Sequence, residues 1–162
     1  MKELSKGQKF CYCGDDRKDI LAEFHKYVNE WGVVMPKQEP LILDFGINRF
    51  REIGLIEFWI ANELNAGYCA KYLFLFDRQT CPKHQHHEKT ETFFVIKGTI
   101  EVDYDGSILR MEAGDSLLVQ PGKYHSITGL GPALFLEVST PCIIKDNYFE
   151  NTSIPIGGNF RG

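Results

Sequence analysis

His84-Gln85-His86-His87-Glu88-Lys89-Thr90-Glu91 is the stretch on which the reading of this chain turns. In an extended strand successive side chains point to opposite faces, so His84 and His86 share one face and His87 takes the other, at the rim. Glu91 follows five residues after His86, far enough for a tight turn to return its carboxylate beside the imidazoles. Downstream, Gly114-Asp115 and then Gly122-Lys123-Tyr124-His125 bring one more imidazole. Three neutral imidazoles and one carboxylate form a mixed nitrogen and oxygen set that suits borderline divalent cations and leaves room for water or substrate. His84, His86, Glu91 and His125 are therefore the candidate metal ligands, in a site of catalytic type on a β-scaffold.

The sequence around this stretch supports that scaffold. From Leu41 onward, short runs rich in Leu, Ile, Phe, Val and Tyr are broken by Gly, Asp and Asn. Strands are expected at 41–45, 55–61, 68–76, 92–96, 99–104, 108–111, 116–119, 125–128, 133–138 and 142–144. Lys97-Gly98 and Asp105-Gly106 read as hairpin turns, where glycine takes a positive φ without steric cost. Strands at this density with no helices between them favour a closed antiparallel barrel over any α/β sheet. One helix is expected at 19–31, where Ile20, Leu21, Phe24, Tyr27, Val28 and Trp31 recur near helical spacing and Gly32 stands at the C-terminal cap. His25, beside that stripe, reads as packing or solvent-facing. The organisation is one domain: a helical extension over 1–40, a barrel over 41–150 and a Gly- and Asn-rich tail over 151–162.

Composition narrows the class. At 162 residues, 43% apolar and 25% charged, the chain has enough material for a core without disulfide staples. Eighteen basic residues against twenty-two acidic ones give a net charge of −4 with no Lys/Arg block, which argues against a nucleic-acid partner. No run approaches the roughly 18 apolar residues of a membrane span, and the charged start Met1-Lys2-Glu3 does not read as a signal peptide. The expectation is a cytoplasmic protein whose five cysteines, Cys11 and Cys13 included, are reduced thiols.

The two histidine-bearing segments resemble the two motifs of the cupin superfamily. His84-x-His86-x4-Glu91-x6-Gly98 matches the second half of the first motif, and Gly114-Asp115, Gly122 and His125 match the second. Gln120 replaces the proline of that motif and Gly129 its final asparagine. The resemblance implies a cupin-type antiparallel double-stranded β-helix, or jelly-roll barrel, mainly all-β with an N-terminal helix. A narrower resemblance is to the D-lyxose isomerase family of cupin sugar isomerases. It rests on Tyr68-Cys69-x-Lys71, Gln79-Thr80-Cys81-Pro82-x-His84-x-His86, Lys89-x-Glu91-Thr92-Phe93 and Glu137 just before Ser139-Thr140. The loop between His86 and Lys89 is shorter here than in that family. This resemblance implies aldose–ketose interconversion of a monosaccharide on a divalent metal, usually Mn2+, in a homodimer; Zn2+, Fe2+ and Co2+ suit the same donors.

Such a reaction moves a proton between adjacent carbons through a metal-stabilised enediolate and needs a base within reach. Glu137, a charge inside the apolar run Leu134-Phe135-Leu136-Glu137-Val138, is the candidate, with the family likeness favouring an inward role. Lys89 is the second catalytic candidate, as acid partner or clamp, with a pKa expected to be depressed by burial beside a metal. Lys71 and Tyr68 are candidate substrate contacts at the barrel mouth, and Arg161 could meet an anionic substrate. Two rival readings stand beside the isomerase. One is a cupin oxygenase using iron, and the other a non-catalytic sugar-binding cupin whose aromatic residues stack on its ligand.

Overall fold

The apolar runs from Leu41 onward fold into two antiparallel sheets laid face to face, so the expected barrel is realised as a jelly roll. The computed structural model describes residues 2–158, and Arg161 lies outside them. The first sheet runs β1 (Leu41–Leu43), β2 (Leu55–Glu63), β3 (Tyr68–Leu75), β10 (Ala133–Ser139), β5 (Glu91–Lys97) and β8 (Ser116–Val119). The second runs β11 (Tyr148–Phe149), β4 (Thr80–Gln85), β9 (His125–Gly129), β6 (Thr99–Tyr104) and β7 (Ser107–Glu112).

Strand parity decides what enters the space between the sheets. In β3 Cys69, Lys71, Leu73 and Leu75 point inward, and in β10 Ala133, Phe135, Glu137 and Ser139 do so. Over β1, β2, β3 and the start of β10 the opposite face of the first sheet is covered by α2 (Arg17–Glu30), whose Ile20, Phe24 and Val28 lie one turn apart and pack on Ile56, Phe58, Phe74 and Leu134. Each such side chain contributes about 1.5–3 kcal/mol on burial. The helix closes as its sequence predicts. Gly32, at φ 64, donates its N–H to the Asn29 carbonyl at 3.1 Å, and Val33 donates to the Val28 carbonyl at 3.0 Å.

Four local features differ from the sequence reading. Asp105-Gly106 is the expected two-residue hairpin, both residues at positive φ, but Lys97-Gly98 is a corner that carries the chain from β5 in one sheet to β6 in the other. A Cβ on Gly98 would lie 2.2 Å from the Pro132 carbonyl oxygen, so only glycine fits that corner. The segment 142–144 forms no strand. Its Cys142 N–H donates to Asn62 Oδ1 at 2.9 Å and its Ile144 N–H to Glu3 Oε2 at 2.8 Å, so side chains replace a ladder there. A 3-10 turn, Ile144–Asp146, follows. The extended stretch read at His84 and His86 runs back to Thr80 as β4, a range outside the expected strands; Pro82 lies inside it, and a register shift between Cys81 and His84 accommodates the missing donor. Finally α1 (Lys2–Gly7), too short to announce itself by periodicity, leads through Phe10 to one end of the inter-sheet core. Among the described residues no helix is long and apolar enough to cross a membrane.

Candidate metal centre

Four buried donors meet between the sheets. His84 in β4 stands opposite His125 in β9, and His86 lies just beyond the end of β4. Glu91 opens β5 in the facing sheet. The chain therefore does not turn tightly back after His86, as the spacing suggested; it crosses from one sheet to the other and delivers the carboxylate from the opposite wall. The ligand nitrogens of His84, His86 and His125 lie within 4.8 Å of one another. Glu91 Oε1 is 3.3 Å from His86 Nε2 and 3.0 Å from His125 Nε2, separations that suit donors sharing one cation with bonds of about 2.1 Å.

The hydrogen bonds decide the tautomers. Nδ1 of His84, His86 and His125 lies 2.8, 2.8 and 3.1 Å from the carbonyls of Pro82, Asp146 and Lys123. A carbonyl can only accept, so each Nδ1 carries the proton and each Nε2 presents a lone pair to the interior. Burial, then the neighbouring His125 and His86 rings, hold the His84 imidazole well below its ordinary pKa, hence neutral. Burial pushes the Glu91 carboxyl up, but the Lys89 ammonium beside it pulls it down, and the group lies well below the usual carboxylate range. His86 Nε2, His125 Nε2 and Glu91 Oε1 are buried with no hydrogen-bond partner. Converging lone pairs without donors are costly in a protein interior, and a cation satisfies all of them at once. The residues present fit a divalent metal.

A chain of buried charges extends from this centre along the inner face of the first sheet. Lys89 Nζ lies 2.5 Å from Glu91 Oε2 and 2.6 Å from Glu137 Oε1. Lys71, paired across the ladder with Glu137, places Nζ 3.8 Å from Glu137 Oε1 and 3.3 Å from Glu57 Oε1. Ser139 Oγ donates to Glu137 Oε1 at 3.0 Å. Three carboxylates thus face two ammoniums, leaving one negative charge over, which further suits a cation. Burial pulls Lys89 down, but Glu137 and Glu91 outweigh it and hold the ammonium above an ordinary lysine. This reverses the depressed pKa expected from the sequence, because the carboxylates on either side are supplied by the fold. Glu137 is pushed up by burial and pulled further down by Lys71 and Lys89, so it is an ionised carboxylate.

The remaining candidates separate. Lys71 lines the cavity with His84, His86, Lys89, Glu91 and Glu137, whereas Tyr68, at odd spacing from it, lies on the opposite face of β3 and is exposed. Tyr68 is therefore no part of this cavity, contrary to expectation. His87 is exposed, its ring stacked on Tyr148 at 3.7 Å. All five cysteines are free. Burial pushes the Cys81 and Cys142 thiols up, so neither beside the cavity is an activated nucleophile. Glu57 was missed, although Leu55-Ile56-Glu57-Phe58-Trp59 carries the same signal that singled out Glu137: one charge in an apolar strand.

Comparison with known proteins agrees with this architecture. Residues 76–139 match the cupin domain family. The chain is 28% identical over 143 aligned positions to a D-lyxose/D-mannose isomerase of Escherichia coli O157:H7, covering 66% of this chain and 62% of that protein. It thus spans less than two thirds of that relative's length. Among solved structures, an L-ribose isomerase of Cellulomonas parahominis superposes with a TM-score of 0.74 at 16% identity, over 90% of this chain and 95% of that one. A variant L-ribose isomerase of Acinetobacter sp. DL28 in complex with L-ribose gives 0.67 at 15% identity, over 82% of each chain. The fold is that of a cupin, and it resembles the cupin sugar isomerases.

Proposed function

We propose that this chain is a metal-dependent aldose–ketose isomerase acting on a small monosaccharide of the D-lyxose/D-mannose type, with Mn2+ as its working cation. The observation that carries this reading is a buried Glu137 joined through Lys89 to a four-donor cluster in which His86 Nε2, His125 Nε2 and Glu91 Oε1 lack partners. His84, His86, His125 and Glu91 would hold the metal. When bound, it polarises the carbonyl and neighbouring hydroxyl of an open-chain sugar and offsets the negative charge that develops on them.

The rest is work for the chain's own residues. Glu137 takes the proton from the carbon beside the carbonyl and returns it to the adjacent carbon, while the hydroxyl proton passes from its own oxygen to the neighbouring former carbonyl oxygen. Lys89, charged and between Glu91 and Glu137, keeps the base ionised and steadies a substrate oxygen. Phe45, Leu73, Ile127 and Phe149 line the same cavity and limit water, so the shuttled proton stays with Glu137. The sugar isomerases among the relatives support the substrate class. The expected homodimer is also part of the proposal. Phe94, Leu118 and Val138, exposed on the outer face of β5, β8 and β10, offer it an apolar face.

The test is a panel of aldopentoses, aldohexoses and their ketoses incubated with Mn2+-loaded protein and followed by chromatography. Interconversion of at least one pair is expected. Ferrous-dependent dioxygen uptake without isomerisation would select the oxygenase reading, and sugar binding without turnover the non-catalytic one.

Lys71→Met gives a pH signature. The Lys71 ammonium is one of two that pull the Glu137 carboxyl down, so its removal raises that pKa. A base with a raised pKa is ionised only at higher pH. The acid limb of the kcat/KM profile should therefore move to higher pH. An unmoved limb would show that Lys71 does not poise the base.

A further inference from the structure

The loop between His86 and Lys89 is built around a residue that the reaction scheme leaves unused. Asp146 ends the 3-10 turn Ile144–Asp146, far from the histidine strand in sequence. Its carboxylate accepts three consecutive backbone N–H groups of that loop. His87 donates to Oδ1 at 2.9 Å, Lys89 donates to Oδ2 at 2.9 Å, and Glu88 lies 3.3 and 3.2 Å from the two oxygens. Its backbone carbonyl accepts the Nδ1 proton of His86 at 2.8 Å. One residue thus grips both sides of the loop that joins a candidate metal ligand to Lys89.

We propose that Asp146 is the positioning residue of this centre, a latch that sets the aim of His86 Nε2 and the placement of Lys89. The physical case rests on the alternative. Without the carboxylate, three adjacent N–H groups turn to water, and the segment is held only at its two ends, where Gly122 N–H donates to the His86 carbonyl at 2.7 Å and Thr90 N–H donates to Thr140 Oγ1 at 3.1 Å. The loop is short, so a small rotation of its backbone swings both the imidazole and the ammonium. The latch is itself held from the other end of the chain: Ile144 N–H donates to Glu3 Oε2 at 2.8 Å, and Glu3 is ion-paired with Lys6 of the same helix. The N-terminal helix α1 is thereby connected to the metal centre through a run of polar contacts.

This inference rests on the metal reading above, and its test separates the two. Hydrogen exchange of the His87, Glu88 and Lys89 amides, read by NMR in metal-free protein, judges the latch without any cation. These amides sit in or beside an exposed loop, yet they should exchange slowly in the wild type and at least tenfold faster in Asp146→Ala. Titration with Co2+, monitored through its visible absorption, judges the aim of the ligands. Asp146→Ala keeps the carbonyl that accepts from His86 Nδ1 but releases the carboxylate's grip on the loop, so it should bind about tenfold more weakly with an altered spectrum, the low end of the loss seen when outer partners of metal ligands are removed. Asp146→Asn, which keeps one accepting oxygen, should lie between it and the wild type.

If the wild type takes up no Co2+, the metal reading falls while amide exchange still decides the latch. Unprotected amides in the wild type, or exchange unchanged in both variants, would overturn the proposal. So would unchanged affinity and spectrum in variants of a wild type that binds Co2+, since a merely supportive role would lower the melting temperature and leave the spectrum alone.

Discussion

Glu137→Gln is expected to reduce isomerase turnover by about 10²–10⁴-fold, the range typical of a lost general base. Glutamine is nearly isosteric and can still accept from Ser139 Oγ and Lys89 Nζ, so the strand and its contacts should survive. What disappears is the ability to take a proton. The loss should fall on kcat more than on KM, because an amide still fills the space and only proton transfer is removed. Metal uptake should persist, since Glu137 is one step removed from the donor cluster through Lys89. Steady-state kinetics on the best sugar of the panel, together with elemental analysis of the variant, reads both parts. Turnover equal to wild type would eliminate Glu137 as the base.

His125→Ala should have the second large effect, and it is readable without a substrate. A ligand that binds only the folded state stabilises it by RT ln(1 + [L]/Kd), about 2.7 kcal/mol at a hundredfold excess over Kd. The wild type should therefore melt at rising temperature as Mn2+ is added, and His125→Ala should show little or no rise. His125 suits this test because it is fully buried, with Nε2 3.0 Å from Glu91 Oε1, in register opposite His84. The substitution also opens a small void, so metal-free stability will fall somewhat; the slope of melting temperature against metal concentration is the quantity that matters. An undiminished slope would show that the cation binds elsewhere.

Much of this centre was legible in the sequence because its determinants are local. His84 and His86 share a face by strand parity, and their ring centroids lie 5.0 Å apart. The Asp105-Gly106 hairpin follows from residue types that readily take the positive φ its turn requires. What escaped was set by partners distant along the chain. The direction of the Lys89 pKa depends on Glu137, which reaches it only because β10 pairs with β5. The segment 142–144 has the composition of a strand, but Asn62 and Glu3 satisfy its backbone instead. The route from His86 to Glu91 read as a turn because spacing alone cannot distinguish folding back from crossing between walls. Glu57 was visible by the same reasoning as Glu137, a charge amid apolar residues, and becomes meaningful once Lys71 joins the two.

Three of the donors hang from the second sheet and the fourth from the first. A cation shared among them would act as a rivet through both halves of the molecule. Its departure would then precede or accompany opening of that seam. On the proposed reading, chemistry and mechanical integrity share one fastening, and stripping the metal would loosen the cavity walls along with the reaction.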